Sequence, residues 1–176
     1  GNAVSMQFLI NGVSYDLFPI GWDRLVANAY LDSTQGYLLF GTAIRYVGVE
    51  EVFRKFTKLK DSVDNLLASN ALEMKLNKAY EYLNECYIYL YNMRTYDDFS
   101  SIRLEGGKLM NKIANGLSFI NNVCYQGGNG TILKESLELK ILPKDYKMMV
   151  DDILFANDVD TIIGSSEIII GNTRDL

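Results

Sequence analysis

The amino-acid sequence predicts a mainly helical protein that opens with a β-hairpin and continues as an up-down helical bundle. Three observations lead there. Two alternating, β-rich runs flank Asn11-Gly12. From Val49 onward the apolar period changes from that of a strand to that of a helix. The composition, 48% hydrophobic and 22% charged over 176 residues, is that of an ordinary globular chain, long enough to bury roughly two-thirds of its unfolded surface.

The first strand reads Val4 to Ile10 and the second Val13 to Phe18. Asn-Gly between them is a strong hairpin signal, because both residues tolerate positive φ. Alternation puts Ser14, Asp16 and Phe18 on one face and Tyr15 and Leu17 on the other. Pro19 ends the strand, and Trp22 to Leu25 reads as a short helix. Gly36 to Gly48 reads as a loop with an apolar insert, Tyr37 to Phe40. Val49, Val52, Phe53, Phe56, Leu59 and Val63 then begin an amphipathic helix that runs to about Ser69.

A second long helix, Glu73 to Met93, is apolar on more than one side, which places it centrally. The third runs from Ser101 to Cys124, with Ile102, Leu109, Ile113, Leu117, Ile120 and Cys124 on its core side. Glu105, Lys108 and Lys112 are expected together on the opposite side. The glycine-rich run Tyr125 to Thr131 is expected to stop that helix. A short helix follows near Leu133 to Leu139, and Pro143 opens another over Asp145 to Phe155. Asp158 to Gly171 fits either helix or strand. Residues 1–48 would thus form the hairpin and its connection, and 49–176 the bundle. A lone hairpin is barely stable in water, so it should pack on the bundle or complete a sheet from additional chain. The second is favoured, and Gly1 before Asn2 has the look of an expression scar rather than a native start.

Composition also limits chemistry. The net charge of −5 and the lack of a basic stripe argue against a nucleic-acid partner. No apolar run approaches a membrane span and no signal-peptide pattern opens the chain, so a cytoplasmic protein without a membrane partner is expected. Cys86 and Cys124 fall inside helical patterns without metal-ligand spacing and read as reduced core thiols. The sequence holds no histidine, which removes His-based acid–base pairs and most zinc sites. Carboxylates, lysines and tyrosines are left to carry any chemistry.

The stretch INGVSYDLFPIGWDRL, Ile10 to Leu25, followed by a helical bundle, resembles the C-terminal part of bacterial nucleotidyltransferases of the kanamycin/aminoglycoside type. Ile102 to Gly130 looks like the long central helix of that family with its glycine-rich exit. In that family an α/β domain carries a Gly-Ser helix start, an Asp-x-Asp pair and a third acid on a later strand. A helical C-terminal domain closes over nucleotide and acceptor.

The resemblance implies that Asp16 is the third acid and a metal ligand, and that Mg²⁺ and ATP are cofactors. It implies AMP transfer to a hydroxyl of a small-molecule acceptor such as an aminoglycoside. On the third helix Glu105 would be the base, with Lys108, Lys112 and Arg103 contacting substrate or phosphates. The plainer readings are an ordinary exposed acid on an edge hairpin and a solvated helix face.

The Gly-Ser and Asp-x-Asp motifs are missing at their expected place. Asp158-Val-Asp160 has the spacing but no Gly-Ser turn before it, and Gly164-Ser165 follows it. One aspartate cannot hold a two-metal clamp, so the chain alone is expected to be inactive and to bind neither Mg²⁺ nor ATP tightly. The competing function is a non-catalytic interaction module, dimerising through tyrosine-rich surfaces. A toxin-like bundle using an Arg-x₄₋₆-His motif is nearly excluded by the absence of histidine. An exposed hairpin edge and aromatic-rich helices make a homodimer plausible.

Overall fold

The computed structural model describes residues 5–17, 19–29, 48–68, 72–123, 125 and 130–176. The loop expected over Gly36 to Gly48 lies, apart from Gly48, outside these residues, as do Cys124 and most of the glycine-rich run. The chain divides into two compact units, Gly1–Asp64 and Asn65–Leu176.

In the first unit β1 (Met6–Ile10) pairs antiparallel with β2 (Val13–Leu17). Asn11 and Gly12 both have positive φ, 51° and 79°, as a tight two-residue hairpin turn requires. The register sets Met6 opposite Leu17, Phe8 opposite Tyr15 and Ile10 opposite Val13, so one face is wholly apolar. Phe8 and Tyr15 stack there with centroids 5.7 Å apart. Gln7, Leu9, Ser14 and Asp16 form the other face. α1 (Trp22–Ala29) and α2 (Glu50–Ala68) follow, the latter crossing the division between units. Its first turn carries the i,i+4 pairs Glu50–Arg54 and Glu51–Lys55.

The second unit is a helical bundle. It comprises α3 (Leu72–Thr95), α4 (Phe99–Ile120), the short α5 (Ile132–Ser136), α6 (Tyr146–Phe155) and α7 (Val159–Arg174). A three-residue link, Tyr96 to Asp98, folds α4 back antiparallel on α3. Asp98 starts α4 by accepting a hydrogen bond at Oδ1 from the Ser101 N–H, 2.8 Å away. Asp158 starts α7 in the same way through Thr161 at 2.7 Å. The segment that fitted helix or strand is therefore helix. The carboxylates spaced Asp-x-Asp are a helix start.

α4 ends earlier than the sequence suggests, and not at the glycines. Asn122 adopts φ 55°, the Asn122 N–H donates to Phe119 O, and the Val123 N–H donates to Ser118 O. This is a Schellman stop in which asparagine takes the usual glycine position. The Asn121 amide then clasps the backbone of Ile141 with two hydrogen bonds of 2.8 Å.

The core gathers Leu83, Cys86, Leu90 and Met93 of α3 against Ile102, Leu109, Ile113 and Leu117 of α4. Met149, Val150 and Ile153 of α6 and Ile162, Ile169 and Ile170 of α7 complete it. Each large aliphatic buried here contributes roughly 1.5–3 kcal/mol. Two glycines set how closely the helices approach. A methyl group on Gly106 would stand 2.9 Å from Ile153 Cγ2, and one on Gly116 would stand 3.3 Å from Ala79 O. Cys86 is a free, buried thiol pushed up to about 12 chiefly by burial, an inert core residue. Among the described residues no helix is long and apolar enough to cross a membrane.

Candidate functional site

Glu105 stands three residues after Ile102 and four before Leu109, so helical spacing puts it on the buried stripe of α4. It is 3% exposed. The expectation that it shares a solvated face with Lys108 and Lys112, opposite that stripe, is corrected here. Burial of a carboxylate needs partners, and Glu105 has one on each oxygen. Lys108 Nζ lies 2.5 Å from Oε1, and Asn92 Nδ2 of α3 donates to Oε2 at 2.9 Å. Burial works to raise the Glu105 pKa. The hydrogen bonds from Lys108 and Asn92 and the charge of Lys108 outweigh it and hold the carboxyl below its ordinary value. Lys108 is correspondingly raised, first by its hydrogen bond to Glu105.

Lys108 reaches the pair from the outside, with its side chain 47% exposed. It borders an open groove of about 600 Å³ along the outer side of α4, lined by Ser100, Arg103, Leu104, Gly107, Lys108 and Asn111. A buried, ionised carboxylate thus stands beside a solvent-facing ammonium at the edge of the groove.

The other expected site residues lie elsewhere. Lys112 is drawn to α3, with Nζ 2.5 Å from Glu85 Oε2 and 5.4 Å from the centre of the Tyr82 ring. The Arg103 guanidinium lies over the Phe99 ring at 4.5 Å, and its Nη2 donates to the Ala156 carbonyl at the end of α6. Asp16 is in the first unit, exposed on β2 opposite Gln7. Among the described residues no group of three or more acidic, cysteine or histidine side chains is placed to hold a metal ion. Of the α3 tyrosines, Tyr82 is buried against Phe119, whereas Tyr80, Tyr87 and Tyr91 are exposed.

Residues 50–170 match a family described as the KNTase C-terminal domain. The chain belongs to that family. No curated protein and no solved structure matches it. The KNTase C-terminal domain match begins at the first residue of α2 and ends within α7. It contains Asn92, Arg103, Glu105, Lys108 and Lys112 and leaves out the hairpin with Asp16.

Asn92 escaped the sequence reading, although a signal for it exists. Asn92 and Glu105 are centred on the junction of Asp98 and Phe99, where the Tyr96–Asp98 link meets α4, and so are Glu85 and Lys112. A helical hairpin folded at that link brings both pairs together.

Proposed function

We propose that this KNTase C-terminal domain is the acceptor-side part of a nucleotidyltransferase that moves AMP from ATP to a hydroxyl of a small molecule such as an aminoglycoside. The observation that carries the reading is Glu105: an ionised carboxylate, 3% exposed, on the central helix of a domain of this family. The acceptor oxygen attacks the α-phosphorus as its proton passes to Glu105, and the bond to the bridging oxygen breaks to release pyrophosphate. Lys108, the cation facing the groove beside Glu105, meets the phosphates. Arg103 and Lys112 take the substrate-contact role only by leaving Ala156 and Glu85. Asp16, on the polar face of its hairpin, is the proposed third acid. Mg²⁺ accompanies ATP in this proposal, and Asp16 would supply one carboxylate toward it.

Calorimetric titration of Mg·ATP into the native protein, followed by an adenylyl-transfer assay with an aminoglycoside acceptor, tests the proposal. Binding and turnover are expected. Glu105→Gln should lower kcat by roughly 10²–10⁴-fold without weakening ATP binding, and Asp16→Asn should abolish turnover. A native protein that binds no Mg·ATP refutes the reading.

One observation favours a second reading, a non-catalytic interaction module. Tyr80, Tyr87, Ile88 and Tyr91 of α3 are 45–67% exposed, an unusual apolar load for a helix surface. Sedimentation equilibrium would support that reading if the chain dimerises and Tyr87→Ser/Tyr91→Ser is monomeric.

A further inference from the structure

We propose that Asn92 is the positioning residue of this site: its side-chain amide, reaching across from α3, holds the Glu105 carboxylate in place independently of Lys108. The inference rests on the reading of Glu105 as the base and adds a residue from the neighbouring helix to its site.

The two partners of Glu105 differ in kind. Lys108 sits on the same helix, its stem is long and flexible, and its side chain is 47% exposed. A lysine so placed can follow an anion into the groove and leave Oε1 behind. Asn92 comes from the neighbouring helix and has only two side-chain torsions to fix. Its backbone is tied down, because the Asn92 carbonyl accepts both the Tyr96 N–H at 3.0 Å and the Thr95 hydroxyl at 2.9 Å. Met93, next in the chain, is 1% exposed and anchors this end of α3 in the core. The orientation of the amide is also dictated: turned the other way, its oxygen would face the carboxylate oxygen 2.9 Å away.

A neutral donor is suited to this task. It stabilises the charged carboxylate and fixes its direction without adding a charge that a bound anion could draw away. If Lys108 turns to a phosphate, Asn92 alone keeps a 3%-exposed carboxylate from reorienting. The remaining titratable groups acting on the pair are Tyr89 and Tyr96, whose influence falls on Lys108.

The test is a carbon-13 NMR titration of the Glu105 side-chain carboxyl in the full chain, assigned by its disappearance in Glu105→Gln. Asn92→Leu and the milder Asn92→Ser should both move the Glu105 midpoint to higher pH, with the fold retained by circular dichroism. In Lys108→Met, where Asn92 is the remaining partner among the described residues, the further change Asn92→Ser should still raise the midpoint. A Glu105 midpoint that is the same with and without the Asn92 amide, in either background, overturns the proposal. A fall in melting temperature with no change in titration marks Asn92 as structural packing and overturns it equally. In the active enzyme, Asn92→Ser should lower kcat by about tenfold while leaving the KM for ATP in place. The outcomes are separable. If the titration responds to Asn92 but Glu105→Gln keeps full turnover, the base reading fails and the positioning of Glu105 stands.

Discussion

The hairpin and the α3/α4 pair are both antiparallel couples joined by short links, yet they end up in opposite states. All ten strand residues of β1 and β2 are exposed, including the six that make up one apolar face, at 44–55%. On α4, eleven of twenty-two residues are buried. A two-stranded ribbon closes no volume, so its apolar face covers nothing within itself. Two helices side by side, with α6 and α7 laid against them, enclose a core. A strong local signal therefore ensures pairing in both regions, but only the second converts it into burial.

The largest effect that would break this contrast is loss of core volume. Leu109→Ala should destabilise the helical unit by about 2–5 kcal/mol in urea denaturation followed by far-UV circular dichroism. Phe8→Ala on the hairpin should cost under about 1 kcal/mol in the same experiment. Equal costs would mean that the hairpin face is covered in solution.

Adjacent glycines on α4 give a smaller and sharper version of the same comparison. Gly106→Ala pushes a methyl to 2.9 Å from the fully buried Ile153 and should destabilise by about 1–3 kcal/mol. Gly107→Ala meets nothing within 4 Å and should stabilise the helix by up to about 1 kcal/mol. The two variants should therefore shift the melting temperature in opposite directions.

The pH dependence follows from Glu105. Its folded pKa lies below the ordinary 4.5, so its contribution to stability is complete above that value and is lost as pH falls through the lower folded value. Asp98 and Asp158 act in the same sense, held low mainly by their hydrogen bonds to Ser101 and Thr161. Acid unfolding should begin below the ordinary carboxylate range, and Glu105→Gln should flatten that limb. The smallest expected effect is that of Asp98→Ala or Asp158→Ala: each should lower the melting temperature by roughly a few degrees and leave Glu105 titrating as before.

Particular elements show how far the sequence reached. The Asn-Gly turn is a local requirement for positive φ, and it was legible from two residues. The long helices were legible because their apolar period persists over several turns, and the helix expected over Asp145 to Phe155 is found as Tyr146–Phe155. The end of α4 was misplaced, because asparagine at the left-handed position is a weaker signal than the glycines that follow it. The face of Glu105 was misread because charge suggested solvent, although its spacing from Ile102 and Leu109 said otherwise.

The sequence by itself determined the hairpin, the order of the helices and the residue types left for chemistry once histidine was absent. These follow from local backbone preference and from periodicity, which act over a few neighbouring residues. Only the tertiary structure decided that Glu105 pairs with Lys108 and Asn92, that Lys112 turns to Glu85, and that Arg103 is engaged with Phe99 and Ala156. Partner choice depends on which helix faces which and at what register. That is settled by the packing of the α3/α4 pair and the close approach at Gly106 and Gly116, not by any one segment alone.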